Sequence, residues 1–147
     1  MKRFFIIYLI LVSYMFAWDG ECYDEDACNY NPSAEFNEDN DNTCLYTQYF
    51  CGEIHNTGVW SLFIFEDTIT SLDIGDEIAI YDYAAITNFQ DCTSEIGEML
   101  VGAGVWTGEQ LNISAVGSVD LCSFGSIQLP GYKIGNQVII KIWDQSE

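Results

Sequence analysis

The chain reads as a mainly β protein: an antiparallel β-sandwich preceded by a small irregular disulfide-rich repeat and an N-terminal signal helix. Three observations predict this. An apolar run follows Lys2 and Arg3, four of the six cysteines crowd between residues 22 and 51, and short β-branched and aromatic runs broken by Gly and Asp fill the chain from about Val59 onward. No stretch of that last region carries a helical period, and strand signals at this density make a sandwich or barrel the expected fold.

The N-terminal run "FFIIYLILVSYMFA", Phe4 to Ala17, gives way abruptly to the acidic "WDGECYDED". It is shorter than the roughly 18 to 20 apolar residues of a spanning helix, so residues 1–17 are expected to be a secretory signal peptide cut after Ala17. Met15 is larger than cleavage sites prefer at the third position back, and an uncleaved tether is the alternative. No later stretch has the length and apolarity to span a bilayer, so the mature chain is expected to carry no membrane span and to be secreted or held at the cell surface. Loss of Lys2 and Arg3 with all 23 acids kept moves the formal net charge from −19 to −21, leaving only Lys133 and Lys141 as cations. Such a surface excludes nucleic acid as a partner.

Self-repulsion on that scale opposes compaction unless crosslinks or cations offset it. Cys22, Cys28, Cys44, Cys51, Cys92 and Cys122 all follow the signal, and an even number in an exported chain predicts three disulfides. The first four are expected to pair among themselves in one of three connectivities, which spacing does not separate. Cys92 and Cys122 are then left to bridge the larger domain. Zinc is the rival use of these thiols, but the chain has no C-x-x-C and His55 is its single histidine.

Residues 18–52 show little apolar periodicity and cannot build a core unaided, so disulfides or metal must hold them. Within them, "ACNYNPSAEFNEDNDNTCLY" packs amide and carboxylate oxygens between Cys28 and Cys44. Calcium takes six to eight such oxygens on a flexible loop. Asp39 and Asp41 alternate as in calcium loops, and Asp24, Asp26, Asn29 and Asn31 form a second cluster that disulfides would draw close enough to complete one shell. The EF-hand pattern is absent, since neither the Gly nor the Glu it needs follows Asp39. The competing reading is a solvated acidic linker in which Asn and Asp make turns.

Residues 53–147 supply the strand signals "GVWSLFIFED", "EIAIYDY", "EMLVGAGVW", "LNISAVG", "SIQLP" and "QVIIKIWD", with turns at "LDIGDE", "TGEQ" and "PGYKIGN". Leu62 and Ile64 alternate with Phe63 and Phe65, and two apolar faces predict a central strand. In the last run Val138, Ile140 and Ile142 share one face, with Ile139, Lys141 and Trp143 on the other. That run ends four residues before Glu147, and because an exposed final strand is an aggregation edge, the domain is expected to be truncated at its C-terminus.

The stretch "GECYDEDACNYNPSAEFNEDNDNTCLY" resembles a short repeat, often in tandem, of large secreted proteins of marine and related bacteria, whose usual form is G-C-x-D-x-x-A-C-N-Y-x-P-x-A-x-x-x-D-D-G-S-C-x-Y. Cys22, Asp24, Ala27, Cys28, Asn29, Tyr30, Pro32, Ala34, Cys44 and Tyr46 match it. Here "NEDNDNTC" replaces D-D-G-S-C and adds residues. The resemblance implies an acidic calcium-binding spacer with a structural role beside a neighbouring domain. "LDIGDEIAIYD", "LVGAGVWTGE" and "GYKIGNQVIIKIWD" are similar to a β-sandwich module of the same class of proteins, which implies location and architecture rather than chemistry.

Catalytic patterns are weak. Gly102, Gly104 and Gly108 lack the helix of a phosphate loop and are expected at a turn or bulge between strands. The adjacent acids Glu66–Asp67 and Asp76–Glu77 point to opposite faces of a strand and are expected to be solvated turn residues rather than a glycosidase pair. His55, in "EIHNTG", has no nucleophile in pattern with it. Asp73, Asp76 and Asp82 bracket a strand at positions where a sandwich edge could hold a second calcium. Asn112 opens "NIS", read here as a strand residue rather than a glycosylated one. Trp60, Trp106 and Trp143 are expected in the core, with stacking on sugar rings as the alternative. The expected function is a non-enzymatic structural or adhesive module that binds calcium and meets surface polysaccharide or other surface proteins; the alternative is a carbohydrate-binding sandwich serving a separate catalytic domain.

Overall fold

The computed structural model describes residues 22–34, 43–125 and 127–146, so the expected signal helix and the acids Asp39 and Asp41 lie outside the described residues. Seven strands follow in order: β1 (Trp60–Phe65), β2 (Glu77–Ile86), β3 (Ile96–Val105), β4 (Leu111–Val116), β5 (Val119–Asp120), β6 (Gln128–Leu129) and β7 (Val138–Trp143). One 3-10 turn, Cys122–Phe124, separates β5 from β6. Every expected strand run contains one of these elements; the two-residue β5 was not signalled, being too short for alternation to show.

All strand pairs are antiparallel. β1 pairs with β4, β5 with β6, and β2 lies between β3 and β7 in a three-stranded sheet. In that sheet Ile78 stands opposite Ile142 and Ile80 opposite Ile140, while the β2–β3 register shifts after Ile80 and again between Asp82 and Ala85. Such irregularities bend a strand and increase its twist.

Alternation decides which side chains meet. Ile78 and Ile80 of β2, Val101 of β3 and Trp106 beyond it form one buried cluster with Ile113 and Ala115 of β4, against which Phe63 and Phe65 of β1 also pack. The β1–β4 pair therefore covers one face of the three-stranded sheet. On a second side, Leu45, Phe50 and Ile54, from before the first strand, pack with Ala79, Leu100 and Val116, flanked by Trp60 and Trp143. Residues 45–54 thus complete the core of the strand region.

β1 is not a central strand, as its two apolar faces suggested. It has one strand neighbour, and its outer residues Leu62 and Ile64 are 60% and 55% exposed. Only the Phe63 and Phe65 face reaches the core, because the β1–β4 layer is two strands wide and nothing among the described residues covers its back.

Gly102 and Gly104 lie inside β3, Gly102 beside the irregularity where the β2 partner steps from Gly102 to Leu100, and Gly108 lies in the turn between β3 and β4 with φ of 83°. A Cβ on Gly102 would stand 2.8 Å from the carbonyl oxygen of Ser114 and 3.0 Å from Cγ2 of Ile113. Glycine here lets β4 approach β3 closely, a use distinct from conformational freedom. Gly131 combines both needs: φ is 149°, and a Cβ would meet the Gly117 carbonyl carbon at 2.4 Å. It exchanges backbone hydrogen bonds with Ile86, at 3.1 and 3.0 Å, while Tyr132 donates to Val116 at 2.9 Å, so residues 131–132 tie β2 to β4.

Because backbone rather than a side-chain tip confronts Gly102, Gly102→Ala is expected to lower the unfolding free energy by about 1–3 kcal/mol. Gly58→Ala, at a turn with open space around its Cβ position, should cost less than that despite its positive φ. Urea denaturation of both variants checks the difference.

Candidate functional site

The four N-terminal cysteines pair as Cys22–Cys44 and Cys28–Cys51, and Cys92 pairs with Cys122 as expected. The first two bridges interleave, each spanning a little over twenty residues, and loops of that size contribute on the order of 3 kcal/mol apiece in the chain-entropy account. Cys22, Ala27 and Cys44 form the small buried cluster of this region among the described residues. Disulfides therefore do here what apolar burial does in the strand region.

The expected calcium ligands have local duties. Asn29 extends a backbone ladder with its side chain: Cys28 N–H donates to Leu45 O at 2.8 Å, Leu45 N–H donates to Asn29 Oδ1 at 2.8 Å, and Asn29 Nδ2 donates to Thr43 O at 2.7 Å. Asn31 Oδ1 accepts from Ser33 N–H at 2.8 Å, an Asx turn. Asp24 accepts from the Asp26 N–H through Oδ1 at 3.0 Å and from the Tyr46 hydroxyl through Oδ2 at 2.7 Å. Asp26 is exposed. Among the described residues no three His, Cys, Asp or Glu side chains are grouped to hold a metal ion. The side chains of Asp24, Asn29 and Asn31 are engaged in shaping the repeat.

The carboxylates that organise the molecule are elsewhere. Asp76 and Glu77 are not solvated turn residues but 4% and 2% exposed. Glu77, at the start of β2, accepts three consecutive backbone N–H groups: Gln48 at 2.5 Å through Oε1, and Tyr49 at 2.8 Å and Phe50 at 2.9 Å through Oε2. A buried carboxylate held by charge-assisted bonds of this kind is satisfied without a cation. Asp76 accepts from Asp73 N–H at 2.9 Å and from Gln145 N–H at 3.2 Å. Asp82 accepts from Ala84 and Lys133 N–H, at 2.9 and 2.8 Å, and both of its oxygens accept from Asn136 Nδ2, at 3.0 and 2.9 Å. Asp76 and Asp82 stand six residues apart along a strand, about 20 Å, too far to share an ion. The second calcium site expected from Asp73, Asp76 and Asp82 is replaced by two separate loop anchors.

The remaining candidates are dispersed. Glu66 and Asp67 are exposed beyond β1. His55 stacks on Phe89 with ring centroids 4.3 Å apart, and its Nε2 lies 3.9 Å from Glu53. Trp106 is 1% exposed, Trp60 is half-buried, and half-buried Trp143 stacks on Tyr49 at 5.4 Å, so none of these three tryptophans is an exposed side chain. Asn112 is an exposed strand residue opposite Ile64. A cleft of about 360 Å³ opens between β1 and β7, lined by Phe63, Ile80, Val101, Ala115, Asn136 and Val138.

Two exposed aspartates are held below the ordinary value of 3.8: Asp24 by the Asp26 N–H and then the Tyr46 hydroxyl, Asp91 by the N–H and then the hydroxyl of Thr93. Lys141 is raised above 10.5, first by its hydrogen bond to Glu98, and its ammonium lies 3.9 Å from the Tyr81 ring centroid. A lowered folded-state value means that the aspartates contribute stability fully above about pH 4 and lose it as pH falls further. Lys141 contributes fully below its ordinary value and loses that contribution as pH rises through the raised one.

No protein family, curated protein or solved structure matches the chain.

Two outcomes follow from this geometry. Glu77→Ala strands three backbone donors and is expected to cost about 3 kcal/mol or more, with Glu77→Gln intermediate because one amide N–H₂ must face a donor. Equilibrium unfolding measures both. Asp24→Asn should leave stability unchanged at pH 2 and lower it at pH 6, flattening the acid limb of the melting curve.

Proposed function

We propose that the chain is an exported structural or adhesive module: a β-sandwich formed by the β1–β4 pair over the β3–β2–β7 sheet, carrying an acidic disulfide-stapled repeat at a fixed orientation. The observation that carries this reading is the Glu77 carboxylate gripping residues 48–50. Together with Leu45, Phe50 and Ile54 in the core, it joins the repeat to the sandwich through a rigid contact instead of a linker. Three disulfides suit an oxidising exterior. The use of Asp76, Glu77 and Asp82 as anchors supports a load-bearing role over catalysis, since a glycosidase needs its carboxyls facing one cleft.

Calcium belongs to this proposal as the cation that screens the acidic loop. Asp24 and Asp26 would be joined by Asp39 and Asp41, and binding would stiffen a loop that the bridges already close. A carbohydrate-binding role is the second reading, which the buried Trp106 and the Tyr49-covered Trp143 weaken.

Calorimetric titration of the oxidised protein with calcium, paired with melting in calcium and in chelator, tests the proposal. Saturable heat and a melting temperature raised by several degrees are expected. No heat and no shift would remove calcium from it. Retention on insoluble polysaccharide columns, abolished by substitution of Tyr49, would favour the carbohydrate reading instead.

A further inference from the structure

The three-stranded sheet is only partly covered. Val138, Ile140 and Ile142 share a face with Ile78 and Ile80, opposite which two of them pair. Yet Ile78 and Ile80 are 0% and 1% exposed, while Val138, Ile140 and Ile142 are 46%, 50% and 56% exposed. The β1–β4 layer stops over β2 and leaves β7 bare. β7 is also the end of its sheet, so its outer row of N–H and C=O groups has no strand beside it among the described residues.

Charge distinguishes this edge from the others. Residues 121–143 contain none of the chain's 23 acids and hold Lys133 and Lys141, its only cations after Arg3. The opposite edge, β3, carries Glu98 with Glu95 beside it, and β1 runs into Glu66 and Asp67. Two copies of so acidic a molecule repel wherever carboxylates face one another. They can approach without that repulsion along β7.

We infer that β7 is the contact between two copies of this chain, pairing antiparallel with its own counterpart to make one six-stranded sheet. The inference goes beyond the structural reading above and needs no calcium. A two-fold axis normal to the sheet keeps each face on its own side, so residues of like parity oppose one another. Centred on Ile140, the pairing sets Ile140 against Ile140 and Val138 against Ile142 of the second copy. Six exposed apolar side chains become one strip between the two covering layers. On the other face Ile139 meets Lys141, whose ammonium is already held by Glu98 over Tyr81. Asp144 falls opposite Asn136, so no like charges stand opposed.

Sedimentation equilibrium of the purified, oxidised protein tests this at roughly 0.01 M and 1 M salt, where the Debye length is about 30 and 3 Å. A dimer is expected, with its dissociation constant tightened by about tenfold or more at the higher salt. Ile140→Lys places two ammoniums together at the axis and should weaken it by about a hundredfold, with a near-ultraviolet circular dichroism spectrum matching the parent to show an intact fold. Ile64→Lys, at an isoleucine of similar exposure on the outer face of β1, and Ile96→Lys, on the β3 edge, should leave the dimer unchanged. A monomer under all conditions overturns the inference, as does a dimer lost with Ile64→Lys or Ile96→Lys but not with Ile140→Lys. So does a monomer that instead binds a foreign extended peptide at β7.

Discussion

A carboxylate buried beneath three backbone N–H groups is the contact on which the arrangement depends. Glu77 begins the central strand of the larger sheet and reaches back to residues 48–50, where it fixes a stretch through which the repeat enters the core. A chain with this excess of acid has few cations to offer, so its buried carboxylates are satisfied by backbone donors. Asp76 and Asp82 follow the same rule for the segments around Gln145 and Lys133. Negative charge, which opposes compaction as a whole, becomes cohesive where each carboxylate gathers several amide dipoles.

Two kinds of constraint divide the molecule. Beyond residue 54, burial of Ile78, Ile80, Val101 and Trp106 between sheets is the main cohesive term. Among the described residues before 45, the buried cluster is confined to Cys22, Ala27 and Cys44, and crosslinks and side-chain-to-backbone bonds take over. Asn29 shows the second regime most clearly, serving as a surrogate strand residue through both ends of its amide. An oxygen-rich sequence can thus be read as a ligand set or as a scaffold, and the described half of this one is largely scaffold.

Much of the β architecture was legible because alternation carries its own face assignment. The strand runs, the Cys92–Cys122 bridge and the burial of Trp106 follow from local pattern. What the pattern missed was non-local. Asp82 shares parity with Ile78 and Ile80, which places it on their face of β2; reading it as an edge ligand ignored the parity. Glu77 gave no such sign, since its partners lie 27 to 29 residues earlier in an irregular segment. Leu62 and Ile64 misled in the opposite direction, because an apolar face says nothing of whether a second layer exists to cover it. The pairing of the first four cysteines was open for the same reason: connectivity is a property of the folded path.

The interleaved bridges have a mechanical consequence. If the flanks of the repeat are pulled apart, tension entering at Cys22 has two short routes to Cys51, one across to Cys44 and along the chain, the other along the chain to Cys28 and across its bridge, so residues 29–43 carry no load. Reduction of either bridge alone leaves the other route intact. Loss of both would let the loop out, turning a stiff joint into an extensible one while the strand region beyond it stays folded.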